Sequence, residues 1–417
     1  MEIQKKQKFY LYINKIIPYL QIIMKPIIFC FLFLLATNLS AQKIIVNEYS
    51  SIDKKAIKIA DSLTTTTKGI AGYIKTNFKT DKEKVRAIFI WVAGNIEYDI
   101  ANIYAINFYE TKENKINKAL KTKKGICENY AALFTEIATG CGITSYIIEG
   151  YTKQNGFTDY IPHAWCAAYV DSAWYMFDPT WGSGYINGGK FYKKINNEYF
   201  KTLPSTLIKS HIPFDYLWQF LNYPVTNQEF YEGRITANKA KPFFNYVDSI
   251  TLHESKNHIE QLISAAYRIE KNGLKNAMIF DRLQHIKVEL ENDRVNTSTN
   301  LYNVAIVYYN ESIRNINNFI QYRNKQFNPL KSDADIQQMI DLGVKNIEDA
   351  KAKLTAINNP DAATISLINN LNKSISDISI NIKEQQDFLA LYFSKGKAKR
   401  KAMFYDKKVT WFGIPIN

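Results

Sequence analysis

A thiol, an imidazole and a carboxylate stand in the order Cys127, His163 and Asp178 along this chain. The attacking form of a cysteine is its thiolate, and a thiol with a pKa of about 8.5 stays protonated at neutral pH unless its surroundings favour the anion. The sequence around Cys127 supplies such surroundings. Tyr130, Leu133, Phe134, Ile137 and Ala138 follow at helical spacing, which puts Cys127 at the start of a predicted helix reaching Thr139, with Gly140 as its C-cap. Unpaired backbone N–H groups and the dipole at that end favour negative charge. The same N–H groups can hold the oxyanion of a tetrahedral intermediate, and Gly125 lets the chain turn sharply into the helix.

The other cysteines fit this chemistry less well. Cys141 lies about 21 Å further along the same helix, out of reach of Cys127. A hairpin is predicted from Ala164–Val170 and Trp174–Phe177 around the two-residue turn Asp171-Ser172. Pairing Val170 with Ala173 sets His163 across from Thr180, so Asp178 shares the face of His163 as a diagonal neighbour about 7 Å away at Cβ. An imidazole and a carboxylate can hydrogen-bond across that gap. Cys166 falls on the opposite face, where core packing is the plain reading. Nucleophile, base and orienting carboxylate then appear in order. Spacing alone leaves the structural reading open, because any histidine and aspartate on one strand face look suggestive.

The elements around these residues read as follows. Residues 54–79 and 81–98 are predicted helical from Ile57, Ala60 and Leu63 and from Val85, Ile88, Ile90 and Trp91. Residues 105–124 are polar and lysine-rich, a loop or short helix leading into Gly125-Ile126-Cys127. Short segments rich in aromatic and β-branched residues follow Cys127's helix, Ile143–Tyr151 first among them, an α+β order of helices and then antiparallel strands. Beyond about Ala237 glycine nearly vanishes, and helices are expected from Ile259, Leu262, Ile263 and Ala266 and from Leu301, Ala305, Tyr308, Ser312 and Phe319. Ile368, Leu371, Ile375, Ile378, Ile382, Gln385 and Leu389 alternate three and four apart, one apolar seam on a long helix. Its similar neighbours in sequence favour an intramolecular bundle; a helix-mediated partner or self-association is the alternative.

Charge and the N-terminus bound the setting. Lysine and arginine outnumber aspartate and glutamate 53 to 39. The excess is spread along the chain, so a solvated surface is expected and no nucleic-acid partner. Lys25, the apolar run Ile27–Ala36 and the polar Thr37–Gln42 have the three parts of a secretory signal peptide, with cleavage expected after Ala41 and translation beginning at Met1 or Met24. Ten apolar residues are too few to cross a bilayer about 30 Å thick. An uncleaved anchor using Ile16–Ile23 as well is interrupted by Lys25 and Pro26. Removing the signal takes Cys30 and leaves three cysteines, an odd number, as expected of an exported protein with one reactive thiol. Five histidines without a His-Glu-x-x-His pattern or paired Cys-x-x-Cys leave no recognisable metal set, and no cofactor is expected.

Gly-Ile-Cys-Glu-Asn-Tyr-Ala at 125–131 resembles the nucleophile motif of the transglutaminase-like superfamily. His163-Ala164-Trp165 and Asp178-Pro179-Thr180-Trp181-Gly182 resemble its histidine and aspartate motifs, and the segments Ala87–Trp91 and Asn95–Asp99 its preceding helix. Tyr199-Phe200, Ser210-His211-Ile212-Pro213 and Leu217-Trp218-Gln219 are similar to the kyphoscoliosis-peptidase branch, so the likeness spans roughly residues 55–232. It implies a papain-like α+β core with the nucleophile's helix packed on an antiparallel sheet, and all three catalytic residue types are present.

The expected organisation is a signal peptide with an upstream basic segment over 1–41, a cysteine-nucleophile domain over 42–236 and a helical bundle or coiled-coil-like region over 237–417. Expected activity is thioester chemistry on peptide or glutamine amides, hydrolysis preferred over cross-linking, with protein or cell-wall peptides as substrates in the cell envelope. A non-catalytic scaffold is the alternative. Tyr98 or Asn95 is a candidate second oxyanion donor. Trp165 and Trp181, with Trp91, are candidate walls of a substrate channel, for which core packing is the plain reading. His211 reads as structural.

Overall fold

The computed structural model describes residues 48–404. The expected signal peptide and its cleavage after Ala41 lie outside the described residues. The chain divides into two compact units, one running to Ile148 and resuming over Ala164–Leu203, the other holding Glu149–His163 and the chain from Pro204 onward.

The first unit opens with α1 (Ser50–Ala56), α2 (Thr67–Asn77) and α3 (Asp81–Asn95). The continuous helix expected over 54–79 is broken, because the threonine run 64–67 supplies a cap: Thr66 Oγ1 accepts the Gly69 N–H at 3.1 Å. Thr80 and Glu83 form a capping box at the start of α3. Every residue from Val85 to Ala93 is buried, so α3 is an internal helix. The one charge in that buried run, Arg86, is matched by both oxygens of Asp53 at 2.7 Å and by Asn197 Oδ1 at 2.7 Å. Tyr49 and Phe200 cover the guanidinium, each ring centroid 4.7 Å away.

α3 stops before β1 (Glu97–Tyr98), which pairs in parallel with β2 (Lys124–Gly125) as Glu97↔Lys124 and Tyr98↔Gly125. Between them α4 (Lys112–Thr122) buries Ile116, Ala119 and Leu120 and ends on Lys123 in the left-handed region. α5 (Cys127–Gly140) follows directly. Then come β3 (Ser145–Gln154), β4 (Phe157–Thr158), β5 (His163–Val170) and β6 (Ala173–Phe177), in the sheet order β4-β3-β5-β6. The β5–β6 register is the one expected, with Val170↔Ala173 closing on Asp171 and Ser172, both at positive φ. Phe134 on α5 meets Phe177 on β6 at 5.0 Å, and the Cys166 thiol donates to Ala131 O at 3.6 Å. A helix carrying Cys127 therefore lies on antiparallel strands, the α+β core expected. β7 (Gly184–Asn187) and β8 (Lys190–Lys193) form a second hairpin through Gly188 and Gly189, both at positive φ.

In the second unit a single turn, α6 (Pro204–Leu207), leads to β9 (His211–Pro213), which pairs antiparallel with β3 as Gly150↔Pro213, Tyr151↔Ile212 and Thr152↔His211. After α7 (Asn227–Glu232) the remainder is helical: α8 (Tyr246–Ser255), α9 (His258–Asn272), the 48-residue α10 (Ala277–Asn324), α11 (Asp333–Thr355), α12 (Ala362–Phe393) and α13 (Lys397–Ala402). The seam on α12 is buried intramolecularly: Leu371, Ile375, Ile382 and Leu389 join one core with Phe319 of α10 and Ile340 of α11. Small residues let α10 and α11 approach closely, with Ser312 Oγ donating to Gly343 O at 2.7 Å. On α9, Leu262 and Ala266 face inward as the spacing indicates, while Ile263 is exposed. Among the described residues no helix is long and apolar enough to cross a membrane.

Candidate active site

Cys127 is the first residue of α5 and is buried to 3% exposure. Its position is set from both sides. Asn129 Oδ1 accepts the Ile126 N–H at 2.8 Å, and its Nδ2 donates to Lys115 O at 3.0 Å, tying the helix start to α4. A Cβ on Gly125 would stand 2.6 Å from Asn129 Cβ, so glycine there is a requirement of this close approach. Glu128 pairs with Lys115 at 2.8 Å with both side chains nearly buried. Burial pushes the Glu128 carboxyl above its ordinary value despite the lysine.

Tyr98 stands by the thiol. Burial first, and next the negative charges that Cys127 and Asp178 carry when ionised, push its phenol well above the ordinary range, so it stays a neutral O–H donor. Its ring lies 6.4 Å from Tyr130 and 6.1 Å from Phe191 of β8. Tyr130, fully buried, donates to Ile96 O at 2.8 Å and ties α5 to the end of α3. Asn95 ends α3, and its amide donates to Trp91 O at 3.0 Å.

Asp178 leaves the ladder just after β6, where Cys166 pairs with Phe177. Its Oδ1 accepts the Thr180 and Trp181 N–H groups at 2.8 and 3.1 Å, and its own N–H donates to Tyr199 O at 3.0 Å. The carboxylate is wholly buried. Tyr199, pushed up to about 12 by burial and then by Asp178, meets Trp181 edge-on at 5.4 Å. Trp181 is half-buried, whereas Trp165 and Trp91 are buried to 1%.

His163 opens β5 and His211 opens β9, both buried. Within the second unit their ring centroids lie 5.5 Å apart, the planes inclined at 60°. No local motif marks this pair, since its members open two separated strands. Cys141 and Cys166 stand apart from this chemistry. Burial pushes the Cys141 thiol up to about 11 and Cys166 higher still, and all three described cysteines are unpaired.

Residues 68–179 match the transglutaminase-like superfamily. The chain is 36% identical over 159 residues to human kyphoscoliosis peptidase, covering 36% of this chain and 24% of that protein. It is 26% identical over 205 residues to Hillarin of Drosophila melanogaster, covering 44% and 24%. The chain thus spans about a quarter of the length of these curated relatives. Among solved structures, a TGase is similar with a TM-score of 0.24 and 22% identity over 41% of this chain and 42% of that one. The periplasmic domain of TgpA from Pseudomonas aeruginosa is similar with a TM-score of 0.24 and 16% identity, over 31% and 47%. The segment that carries Cys127, His163 and Asp178 is a domain of the transglutaminase-like superfamily, of the branch that includes the kyphoscoliosis peptidases.

Proposed function

We propose that the protein is an exported cysteine acyl-transfer enzyme acting on peptide or glutamine amides through Cys127, His163 and Asp178. The observation that carries this reading is Cys127 at a helix N-terminus in the segment that matches the transglutaminase-like superfamily, with the His163 imidazole and the Asp178 carboxylate both buried. The Cys127 thiolate attacks the amide carbonyl. The tetrahedral oxyanion is held by N–H groups at the start of α5 and by the Tyr98 hydroxyl, and His163 gives a proton to the departing amine. Asp178 orients the imidazole and stabilises its charged form. Water then resolves the thioester, giving hydrolysis; an amine in its place gives cross-linking. Hydrolysis is preferred because of the likeness to peptidases, and exported or cell-wall peptides are the proposed substrates. The apolar run Ile27–Ala36 before Ala41 supports export.

Iodoacetamide at neutral pH tests the apparatus. Cys127 should be alkylated before Cys141 and Cys166, whose burial keeps them as thiols, and His163→Ala should slow the reaction. A rate indifferent to His163 would remove the triad. An intact but unreactive Cys127 would favour the scaffold reading, in which the long helices serve partners.

A further inference from the structure

His211 has no part in the reaction just described, yet it is 1% exposed and held from several directions. All of the following contacts lie within the second unit. β9 is clamped along its length: Lys153 N donates to Ser210 O at 2.8 Å, Thr152 pairs with His211, and Phe214 N donates to Glu149 O at 3.0 Å. Ile212 and Phe214, which follow His211, are buried, so the strand cannot shift without exposing apolar surface. The ring itself is set by the preceding residue, with Ser210 Oγ 2.8 Å from His211 Nδ1. With Nδ1 engaged, the Nε2 edge has a fixed direction. The centroid of the oriented ring lies 5.5 Å from that of His163, the planes inclined at 60°.

Burying a second imidazole here costs desolvation that an apolar side chain would not. Packing alone does not account for its hydrogen-bonded orientation. We infer that His211 is a positioning residue for His163: Ser210 fixes the His211 ring, and His211 restricts rotation of the His163 ring to the orientation that serves Cys127. This rests on the reading of His163 as the base.

The test compares His211→Phe, which keeps a flat ring without nitrogens, His211→Gln, whose amide reaches the Nε2 position, and Ser210→Ala. Each full-length protein is checked by far-UV circular dichroism and thermal melting. Two quantities are then read: the rate of Cys127 alkylation by iodoacetamide, and the His163 imidazole signal followed through pH by NMR. A small misplacement of a reacting group can cost on the order of 100-fold. His211→Phe should therefore fold but slow alkylation by roughly 10- to 100-fold and shift the His163 titration. His211→Gln should recover part of the rate, and Ser210→Ala should fall between. A folded His211→Phe protein with the parent's rate and an unchanged His163 titration overturns the inference. If His163→Ala leaves alkylation untouched, the triad fails, and the His163 signal in His211→Phe still decides whether His211 positions that ring. Should His211→Phe not fold, His211→Gln and Ser210→Ala decide by the same two readings.

Discussion

Lys115 Nζ lies 2.8 Å from Glu128 Oε2, and Glu128 is the residue that follows the candidate nucleophile. The pair joins α4 to the first turn of α5 with little solvent on either side. Lys115→Met should destabilise the first unit by about 3–5 kcal/mol, because it strands a buried carboxylate. Glu128 already holds its proton above the ordinary carboxyl value. For a group raised in the folded state, the neutral form's contribution is complete below the unfolded value and is lost as pH rises through the folded one. The deficit in Lys115→Met should thus be larger at pH 8 than at pH 5. Urea melts followed by tryptophan fluorescence at both pH values check it, and equal deficits would contradict it.

Gly125→Ala places a methyl group 2.6 Å from Asn129 Cβ and 2.9 Å from its Oδ1. Asn129 must move and loosen its bond to the Ile126 N–H. The expected result is a loss of about 1–3 kcal/mol from overpacking and a fall in Cys127 alkylation rate larger than that of an equally destabilised variant far from the site. Melting temperature and alkylation rate measured together separate the two effects.

The Cys141 thiol is pushed up by burial to about 11 from its ordinary value of 9.0, and it donates to Ala71 O at 3.7 Å. Between these values the unfolded chain loses its proton while the folded one keeps it, so stability falls as pH rises from about 9 to 11. The difference amounts to roughly 2–3 kcal/mol. In Cys141→Ala this part of the alkaline slope should vanish. A denaturation series from pH 8 to 11 in which parent and variant run parallel would refute the assignment.

In the second unit, Arg268 donates to both oxygens of Asp215 at 2.7 Å, and Asp215 Oδ1 also accepts the Leu217 N–H at 3.0 Å. Both side chains are largely buried. Arg268→Ala should cost about 3–5 kcal/mol, and Arg268→Lys should recover only part of it, since an ammonium cannot make the paired contact. Thermal melts of the three proteins give the order expected: parent, lysine, alanine.

The residues around Cys127 were legible because their signals are local. A helix period beginning at Tyr130 and a two-residue turn at Asp171-Ser172 each lie within a few positions, and both stand where the spacing put them. β9 was not legible. Three residues that pair with Gly150–Thr152 carry no periodicity of their own, and Pro213 together with the distance of His211 in sequence favours a structural reading of that histidine. The break after α1 was missed because apolar spacing across 57–63 imitates a helix, while the threonines behind it set a new cap. On α12 the seam was plain, but its partners became known only when α10 and α11 were seen to share its core.

α10 is long enough to take part in two structures at once. Its first turns bury Met278, Ile279, Leu283 and Ile286, and burial resumes at Ser298. Residues 287–297 between them bury none of their side chains. That stretch is kept helical by backbone bonds and by exposed contacts, Arg294 with Glu291, Lys287 with Glu270 and Glu289 with His258, each worth at most about 1 kcal/mol. It is the fuse of the second unit, where amide protons exchange through brief local fraying while the turns on either side wait for their cores to open.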